Sequence, residues 1–363
     1  MQKHSLFPPS ELVNEPLEQA STIPSAWYTD QRYHDVDLRF VYHHNWQYIG
    51  PAEHVGKTGD FITGIASGDP VILTRDEAGR LKAYYNVCKH RGGPLETEFC
   101  GHIRMLQCKY HGWTYKLDGS LRGVPRFERT DLFDKADFGL TPLRADIWQG
   151  MVFVNPGGSA APLETIFHGI EETISPLQPG KLAYSNRMSY DVKCNWKVYV
   201  DNYLEGYHLP LVHPELCDAL SYADYETETF DHYSLQHAPF QEDASDRAYY
   251  YFIFPNTMFN ILPGRLQINA IVPVSTEMTR VIFDYYYSDI SSPAAKKLIE
   301  DDQEFADRVQ WEDIEICEHV QHGLRSVAYD KGRFSVDTEA GVHHFQQLLK
   351  REYQRFVHMS RQI

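Results

Sequence analysis

Two short segments, each with one cysteine and one histidine, constrain this chain more than any other feature. Cys88 and His90 form a C-x-H segment, and after 17 intervening residues Cys108 and His111 form a C-x-x-H segment. Each segment lies where a predicted strand runs into a loop. Two hairpin tips of this kind can meet around a metal, because thiolate and imidazole are both common ligands of transition metals.

The ligand set distinguishes two kinds of metal site. Structural zinc sites usually combine closely spaced cysteine pairs with a separate histidine pair. Here each segment supplies one thiolate and one imidazole, which suits a [2Fe–2S] cluster whose two irons carry two cysteines and two histidines respectively. Neutral imidazoles leave such a cluster less negative and raise its reduction potential. A structural zinc site remains the alternative at this point.

The residues that follow each segment favour the cluster. The sequence R-G-G-P-L occupies positions 91–95, and G-W-T-Y occupies positions 112–115. Glycines let backbone N–H groups approach the cluster sulfurs closely. Together the two segments resemble the Rieske iron–sulfur signature, C-x-H-R-G-x-x-L and C-x-Y-H-G-W-x-Y. The resemblance implies a [2Fe–2S] cluster held by Cys88, His90, Cys108 and His111.

A second dense group of polar residues lies between positions 201 and 213. A helix predicted over 195–209 would place Asp201, Glu205 and His208 at i, i+4 and i+7, on one stripe. Pro210 disrupts a helix, so the chain can turn His213 back toward His208. Two histidines and one carboxylate form a facial triad that leaves iron positions open for O2.

Asp313 is the candidate for the missing carboxylate. On a predicted helix it shares one face with the apolar residues Val309, Ile316, Cys317 and Val320. A carboxylate on an apolar face is costly unless it is paired or bound to a metal. Ordinary ion pairing is the alternative. Glu312 and Glu315 lie off this face, and we expect them to be solvated.

Nearly the whole chain now resembles the α subunit of a Rieske non-haem iron oxygenase. The family pattern acid-x-x-His-x4-His matches Glu205, His208 and His213. The resemblance implies a mononuclear Fe(II) held by His208, His213 and Asp313. It also implies a homotrimer, in which one subunit's cluster faces the next subunit's iron.

Further catalytic residues follow from the same resemblance. Glu205 would bridge a cluster histidine of one subunit to His208 of its neighbour, and Asp201 and Asn202 complete the expected catalytic set. Most family members have Asp at the bridging position, so Glu205 is one methylene longer. A Glu is also seen in some quaternary-ammonium oxygenases of the family.

The expected fold class is α+β. We predict an N-terminal arm over 1–36 that packs on the catalytic domain, an all-β Rieske domain over 37–155 and a catalytic domain over 156–363. The catalytic domain would have the helix-grip (START-like) fold, with an antiparallel sheet and helices to one side. Predicted strands near 249–254 and 280–287, and helices over 293–328 and 343–355, support this organisation.

Composition limits partners and location. The chain has 34 basic and 50 acidic residues and a net charge of −16, which argues against nucleic acid as a partner. The sequence contains no run of about 20 apolar residues, so we expect no membrane span. The first 15 residues lack the apolar core of a secretory signal, which favours the cytoplasm. Reduced or metal-bound thiols are then expected for the cysteines.

The predicted function is that of a terminal oxygenase. The chain has no flavin or NAD fingerprint, so a separate flavin/iron–sulfur reductase would supply electrons from NAD(P)H, through the [2Fe–2S] cluster, to an Fe(II) that activates O2. The alternatives are an electron carrier that uses only the Rieske module, and a ligand-binding protein with an inactive iron site.

The substrate is less constrained. The D-x3-C-E-x-V-Q-x-G-L-x-S-x-A-Y segment that begins at Asp313 resembles the choline-monooxygenase-like branch, which favours a quaternary amine as the small-molecule substrate. Such a cation would favour an aromatic cage. The candidates for it are Tyr249, Tyr250, Tyr251, Phe252, Phe254 and Phe259. An aromatic or aliphatic carboxylic or natural-product substrate is the alternative.

Overall fold

The computed structural model describes residues 6–241 and 243–361. Residues 1–5 of the predicted N-terminal arm lie outside the described residues. The chain divides into two compact units, one formed by residues up to Val41 together with Ile166 onward, the other by Tyr42–Thr165. The predicted boundaries at 37 and 155 differ from these limits by five and ten residues.

The unit formed by Tyr42–Thr165 is built from two antiparallel sheets. The larger has the strand order β1-β10-β9-β4-β3-β2-β5, and the smaller has the order β6-β7-β8. Their strands are β1 (Gln47–Pro51), β2 (Asp60–Ala66), β3 (Asp69–Arg75), β4 (Leu81–Tyr85), β5 (Cys100–His102), β6 (Leu106–Gln107), β7 (Thr114–Tyr115), β8 (Leu121–Gly123), β9 (Pro142–Trp148) and β10 (Met151–Asn155). The loops after β4 and β6 carry the two Cys/His segments.

The other unit is organised around a seven-stranded antiparallel sheet with the order β11-β17-β16-β15-β14-β13-β12. Its strands are β11 (Ala183–Val192), β12 (Glu226–Thr229), β13 (Tyr233–Pro239), β14 (Arg247–Ile253), β15 (Thr257–Leu262), β16 (Arg265–Ser275) and β17 (Met278–Tyr287). All neighbours except β11 and β17 follow one another along the chain, so the sheet is a long meander with its first strand added at the edge beside β17.

Two long helices accompany this sheet. The α-helices of the chain are α1 (Ala26–Thr29), α2 (Gln31–Val36), α3 (Leu163–Ile166), α4 (Ile170–Ile174), α5 (Trp196–Tyr203), α6 (Leu209–Val212), α7 (Pro214–Ala219), α8 (Pro293–Gly323) and α9 (Ala340–Ser360). The side chain of Ser292 accepts a hydrogen bond from the N–H of Ala295 and so caps α8. The predicted α+β class with an antiparallel sheet is confirmed.

A buried ion pair ties the segment before Val41 to α5, within the same unit. Asp37 and Lys197 are both fully buried and paired. The Asp37 carboxylate also accepts hydrogen bonds from Trp196 Nε1 at 2.9 Å and from the Tyr353 hydroxyl. Burying a charge is costly unless such partners surround it.

The helix predicted over 195–209 is wrong beyond Tyr203, where α5 ends. Residues 204–208 form a turn instead, because the Glu205 carboxylate accepts hydrogen bonds from the backbone N–H groups of Tyr207 and His208. Pro210 does not break a helix. It lies in the first turn of α6, where the missing proline N–H costs nothing.

Within the described residues, no helix is both long and apolar enough to cross a membrane.

Candidate metal centres

The two Cys/His loops have the same backbone design. The N–H of Gly92 donates to the carbonyl of Cys88 at 3.0 Å, and the N–H of Gly112 donates to that of Cys108 at 2.9 Å. Both glycines have a positive φ, of 73° and 76°, a conformation that L side chains rarely adopt. A third glycine, Gly93, approaches closely: a Cβ added there would lie 3.1 Å from Sγ of Cys108. The loops therefore wrap tightly around the two thiols.

The thiols and imidazoles of these loops occupy different depths. Cys88 and Cys108 are each 2% exposed, whereas the His111 side chain is at the surface. The rings of His90 and His111 lie 4.6 Å apart, and His90 stacks on Trp113 at 4.9 Å. Two buried sulfurs with two imidazoles outside them form the donor set of a cluster with one Cys-bound and one His-bound iron.

Polar contacts around the thiols support the same assignment. The Tyr115 hydroxyl lies 3.2 Å from Sγ of Cys88 and accepts a hydrogen bond from the N–H of Lys89 at 3.0 Å. Burial raises the pKa of the Cys88 thiol, so a thiolate here needs a compensating charge. Nδ1 of His90 is buried and has no hydrogen-bond partner in the part of the chain that the structure describes. Such an orphaned ring nitrogen fits a metal ligand.

The structure brings His208, His213 and Asp313 together. One potential ligand atom from each lies within 4.8 Å of the other two. Nε2 of His213 lies 2.9 Å from Oδ1 of Asp313, and Nε2 of His208 lies 3.8 Å from the same oxygen. The three residues come from the turn after α5, the end of α6 and the middle of α8. Two imidazoles and one carboxylate oxygen form the donor set of a facial triad.

Each imidazole is oriented by a further carboxylate. Nδ1 of His208 lies 2.8 Å from Oε1 of Glu205, and Nδ1 of His213 lies 2.6 Å from Oε2 of Glu312. When Nδ1 carries the proton, Nε2 keeps a free lone pair, as a metal-binding histidine requires. Nε2 of both rings faces Asp313. Burial lowers the pKa of His213, but the bonds to Asp313 and Glu312 outweigh it and raise this pKa overall.

Glu312 contacts the triad through His213, and the sequence alone did not single it out. We expected its side chain to be solvated, and it is indeed 46% exposed. Its carboxylate nevertheless reaches the buried His213, because a long side chain at the edge of α8 can bend over the apolar face. Adjacency to Asp313 was the one signal that could have drawn attention to it.

Asn202 and Asp201 contact different groups. Nδ2 of Asn202 donates to Oδ1 of Asp313 at 2.7 Å, so Asn202 belongs to the triad's surroundings. Asp201 points elsewhere and accepts hydrogen bonds from the Tyr28 hydroxyl at 2.5 Å and from Nε2 of Gln346 at 3.2 Å. Burial raises the pKa of Asp201 to about 7. The expected common stripe of Asp201, Glu205 and His208 is wrong because α5 ends between the first and second of them.

A cavity of about 250 Å³ opens onto the triad. Its aromatic lining consists of Tyr199, Tyr203, Tyr225, Phe240, Tyr250, Phe283 and Phe305. Of the six aromatic residues predicted to form a cage, only Tyr250 lines this cavity. Tyr249 and Tyr251 lie on the opposite face of β14, since side chains alternate along a strand, and they line a second cavity there.

Comparison with protein families agrees with both centres. Residues 45–134 match the Rieske [2Fe-2S] domain, and residues 179–355 match the catalytic domain of the ring hydroxylating alpha subunit. The match to the Rieske domain favours an iron–sulfur cluster over the zinc alternative at the first centre. The match to the catalytic domain implies a mononuclear iron at the second. The two domains together define a terminal oxygenase, the component of a Rieske system that reacts with O2.

This chain belongs to the Rieske non-haem iron oxygenases, as an α subunit. It is 36% identical to the chloroplastic choline monooxygenase of Arabidopsis thaliana, over 94% of this chain and 86% of that protein. It is 30% identical to the carnitine monooxygenase oxygenase subunit of Escherichia coli strain K12, over 92% and 94% of the two chains. The crystal structure of the quaternary ammonium Rieske monooxygenase CntA with its substrate L-carnitine is similar, with a TM-score of 0.84 and 28% identity over 95% and 99% of the chains.

Proposed function

We propose that this α subunit hydroxylates a quaternary amine. The observation that carries the proposal is the shared cavity: the Nε2 atoms of two histidines converge on Asp313 in a cavity lined by seven aromatic side chains. Aromatic faces attract a quaternary ammonium, whose methyl groups cannot donate ordinary hydrogen bonds. The choline and carnitine monooxygenases among the relatives support the same class of substrate.

The metal ligands in this proposal are those of the two centres. Cys88 and Cys108 would hold one iron of the [2Fe–2S] cluster, and His90 and His111 the other. His208, His213 and Asp313 would hold the mononuclear Fe(II). When bound, the cluster supplies single electrons and the mononuclear iron supplies a binding site at which O2 is reduced.

The remaining residues of the site position these ligands. Glu205 and Glu312 keep the Nδ1 protons of the two imidazoles in place, which fixes both rings and their tautomers. Asn202 holds the Asp313 carboxylate through Oδ1. The aromatic side chains exclude water from the bound substrate, because they cover the cavity with apolar surface.

Glu205 has a second role in the proposal, as the bridge between subunits of a homotrimer. Its carboxylate would accept a hydrogen bond from a cluster histidine of a neighbouring subunit while it contacts His208. The surface beside it supports such a neighbour, since Tyr207 and Leu211 are 58% and 89% exposed. A neighbouring subunit on this surface would cover both side chains.

The electron donor is a separate protein in this proposal. We infer a flavin/iron–sulfur reductase that uses NAD(P)H, because the sequence has no fingerprint for either nucleotide. The cytoplasm remains the proposed location.

Metal analysis of anaerobically purified protein tests the proposal. We expect about three irons and two sulfides per chain and a Rieske-type EPR signal after reduction. With the reductase, a quaternary amine should then stimulate O2 uptake. Zinc without sulfide would overturn the cluster assignment. Two irons per chain after Fe(II) addition would overturn the oxygenase assignment in favour of an electron carrier or a ligand-binding protein with an inactive iron site. Three irons with uptake stimulated only by uncharged aromatic or aliphatic acids would overturn the substrate class alone.

A further inference from the structure

One face of β16 places a row of polar side chains in the cavity. Arg265, Gln267 and Asn269 alternate along the strand and all three line the cavity. Side chains two residues apart on a strand share a face, so the row is continuous. Asp302 of α8 lines the same cavity and pairs with Arg265, with 2.8 Å between the carboxylate and Nη1.

The direction of the hydrogen bonds in this row is fixed by arginine. A guanidinium can only donate, so Gln267 must present Oε1 to Nη2 of Arg265, at 2.6 Å. Gln267 then has only its amide N–H groups left, and Nε2 donates to Oδ1 of Asn269 at 2.8 Å. The row therefore ends on the Nδ2 group of Asn269, which has two N–H donors.

The acceptors of the row are all engaged, whereas donors remain. Oδ1 of Asp302 faces Arg265, and Oδ2 accepts a hydrogen bond from the Tyr287 hydroxyl at 2.6 Å. Arg265 has five N–H donors and two polar partners among the described residues, Asp302 and Gln267. Nδ2 of Asn269 has no hydrogen-bond partner within the same residues. This part of the cavity lacks acceptors, and a carboxylate supplies acceptors only.

We propose that the substrate is a zwitterion, whose carboxylate is bound by Arg265 and Asn269 while its quaternary ammonium lies among the tyrosines. The inference rests on the proposed function and narrows its substrate class. The tyrosines in question are Tyr203, Tyr225 and Tyr250, all of which line the cavity. Because Asp302 already balances Arg265, a ligand without net charge leaves the buried charges of the cavity matched. Arg265 and Asn269 then determine specificity for a carboxylate over an alcohol.

Calorimetric binding to the iron-loaded protein, without reductase or O2, tests the proposal independently of turnover. The probes are L-carnitine, its methyl ester and choline, which share the trimethylammonium group but differ in the carboxylate. Loss of a charge-assisted hydrogen bond weakens binding roughly 10- to 100-fold. We expect the methyl ester and choline to bind more weakly than L-carnitine by that factor. Equal affinities for L-carnitine and its ester would overturn the proposal.

Variants connect the effect to these two residues. Asn269→Asp places a negative charge where the carboxylate would lie, so L-carnitine should bind at least about tenfold more weakly while choline binds as well or better. Arg265→Lys keeps the charge beside Asp302 but removes N–H donors, and it should reduce binding of L-carnitine more than that of choline. The control is Arg247→Gln on β14, whose side chain lines the cavity on the opposite face. An equal loss of affinity for L-carnitine and for choline in these variants would overturn the proposal, because it would indicate a purely structural role for the two residues.

A fourth probe separates this proposal from the quaternary-amine assignment. In 3-hydroxy-5,5-dimethylhexanoate a tert-butyl group replaces the trimethylammonium of carnitine and the carboxylate is kept. If this probe binds as tightly as L-carnitine, the carboxylate site stands and the quaternary amine is wrong. If choline alone binds, the quaternary amine stands and the carboxylate site is wrong. If no probe binds to protein with three irons, both substrate assignments fail and the oxygenase class remains.

Discussion

Nδ1 of His213 lies 2.6 Å from Oε2 of Glu312, although His213 is 2% exposed and Glu312 extends from the surface of α8. Glu312 and Asp313 are consecutive in sequence, and they contact the two ring nitrogens of the same histidine. Two consecutive positions of α8 thus provide the carboxylate of the triad and the carboxylate that orients His213.

Replacing Glu312 by Gln should weaken iron binding at the mononuclear site. The amide carries no charge to support the Nδ1 proton of His213, and the loss of such an outer carboxylate typically costs about 10- to 100-fold in metal affinity. Competition with a chelator, followed by iron analysis, measures the change. Glu315→Gln on the exposed side of the same helix is the matched control. Identical iron retention in the two variants would contradict the role of Glu312.

Replacing Glu205 by Gln should uncouple the two metal centres without removing either. Gln keeps an oxygen that can accept the Nδ1 proton of His208, so the mononuclear iron should stay bound. The charge that would attract a neighbouring subunit's cluster histidine is lost, and substrate-dependent O2 uptake should fall by at least about tenfold. Glu215→Gln, on the exposed α7, serves as control. Wild-type coupled activity in Glu205→Gln would refute the bridge.

Asp201 should make the folded protein less stable as the pH rises. Burial raises the pKa of Asp201 to about 7 in the folded chain, above the value near 4 of an unfolded aspartate. Between these values the folded state binds more protons than the unfolded state, so the free energy of unfolding falls as the pH increases through this range. Asp201→Asn should remove this decline, which is of the order of 2 kcal/mol between pH 5 and 8. Urea denaturation of both proteins at the two pH values measures it, and parallel pH profiles would count against it.

The buried pair of Asp37 and Lys197 should respond strongly to loss of its cation. Lys197→Met leaves the fully buried Asp37 with Trp196 and Tyr353 as its remaining partners. Leaving a charge unpaired in the interior typically costs about 3–5 kcal/mol of the free energy of unfolding. Lys193→Met, at an exposed position just before α5, should change it by less than about 0.5 kcal/mol. Comparable urea midpoints for the two variants would show that Asp37 is protonated instead.

The ligand sets could be proposed from the sequence because metal chemistry restricts which residues can serve. Cysteine, histidine and aspartate at fixed spacings are informative even before the fold is known. The turn at 204–208 was not predictable in this way, since it depends on the Glu205 side chain accepting backbone N–H groups rather than continuing a helix. The helical periodicity of the sequence is compatible with a continued helix and with this turn alike.

The chemistry of the cavity could not be read from its strands. Strands β13 and β16 carry Gln236, Gln267 and Asn269 on buried positions that line the cavity. Residues 265–270 alternate polar and apolar side chains, a pattern typical of a strand whose polar face is exposed to solvent. In the structure this polar face is largely buried because it lines the cavity, and periodicity alone does not distinguish the two situations.

The division of the chain has a consequence for its synthesis on the ribosome. The first 41 residues belong with a unit that resumes only at Ile166, so Asp37 emerges about 160 residues before Lys197 does. The intervening Tyr42–Thr165 unit contains all of its own strands and can fold while the rest is still being translated. The N-terminal segment must wait unpaired through that interval. We therefore expect chaperones to be needed by the N-terminal segment, which leaves the ribosome first, rather than by the segment that is synthesised last.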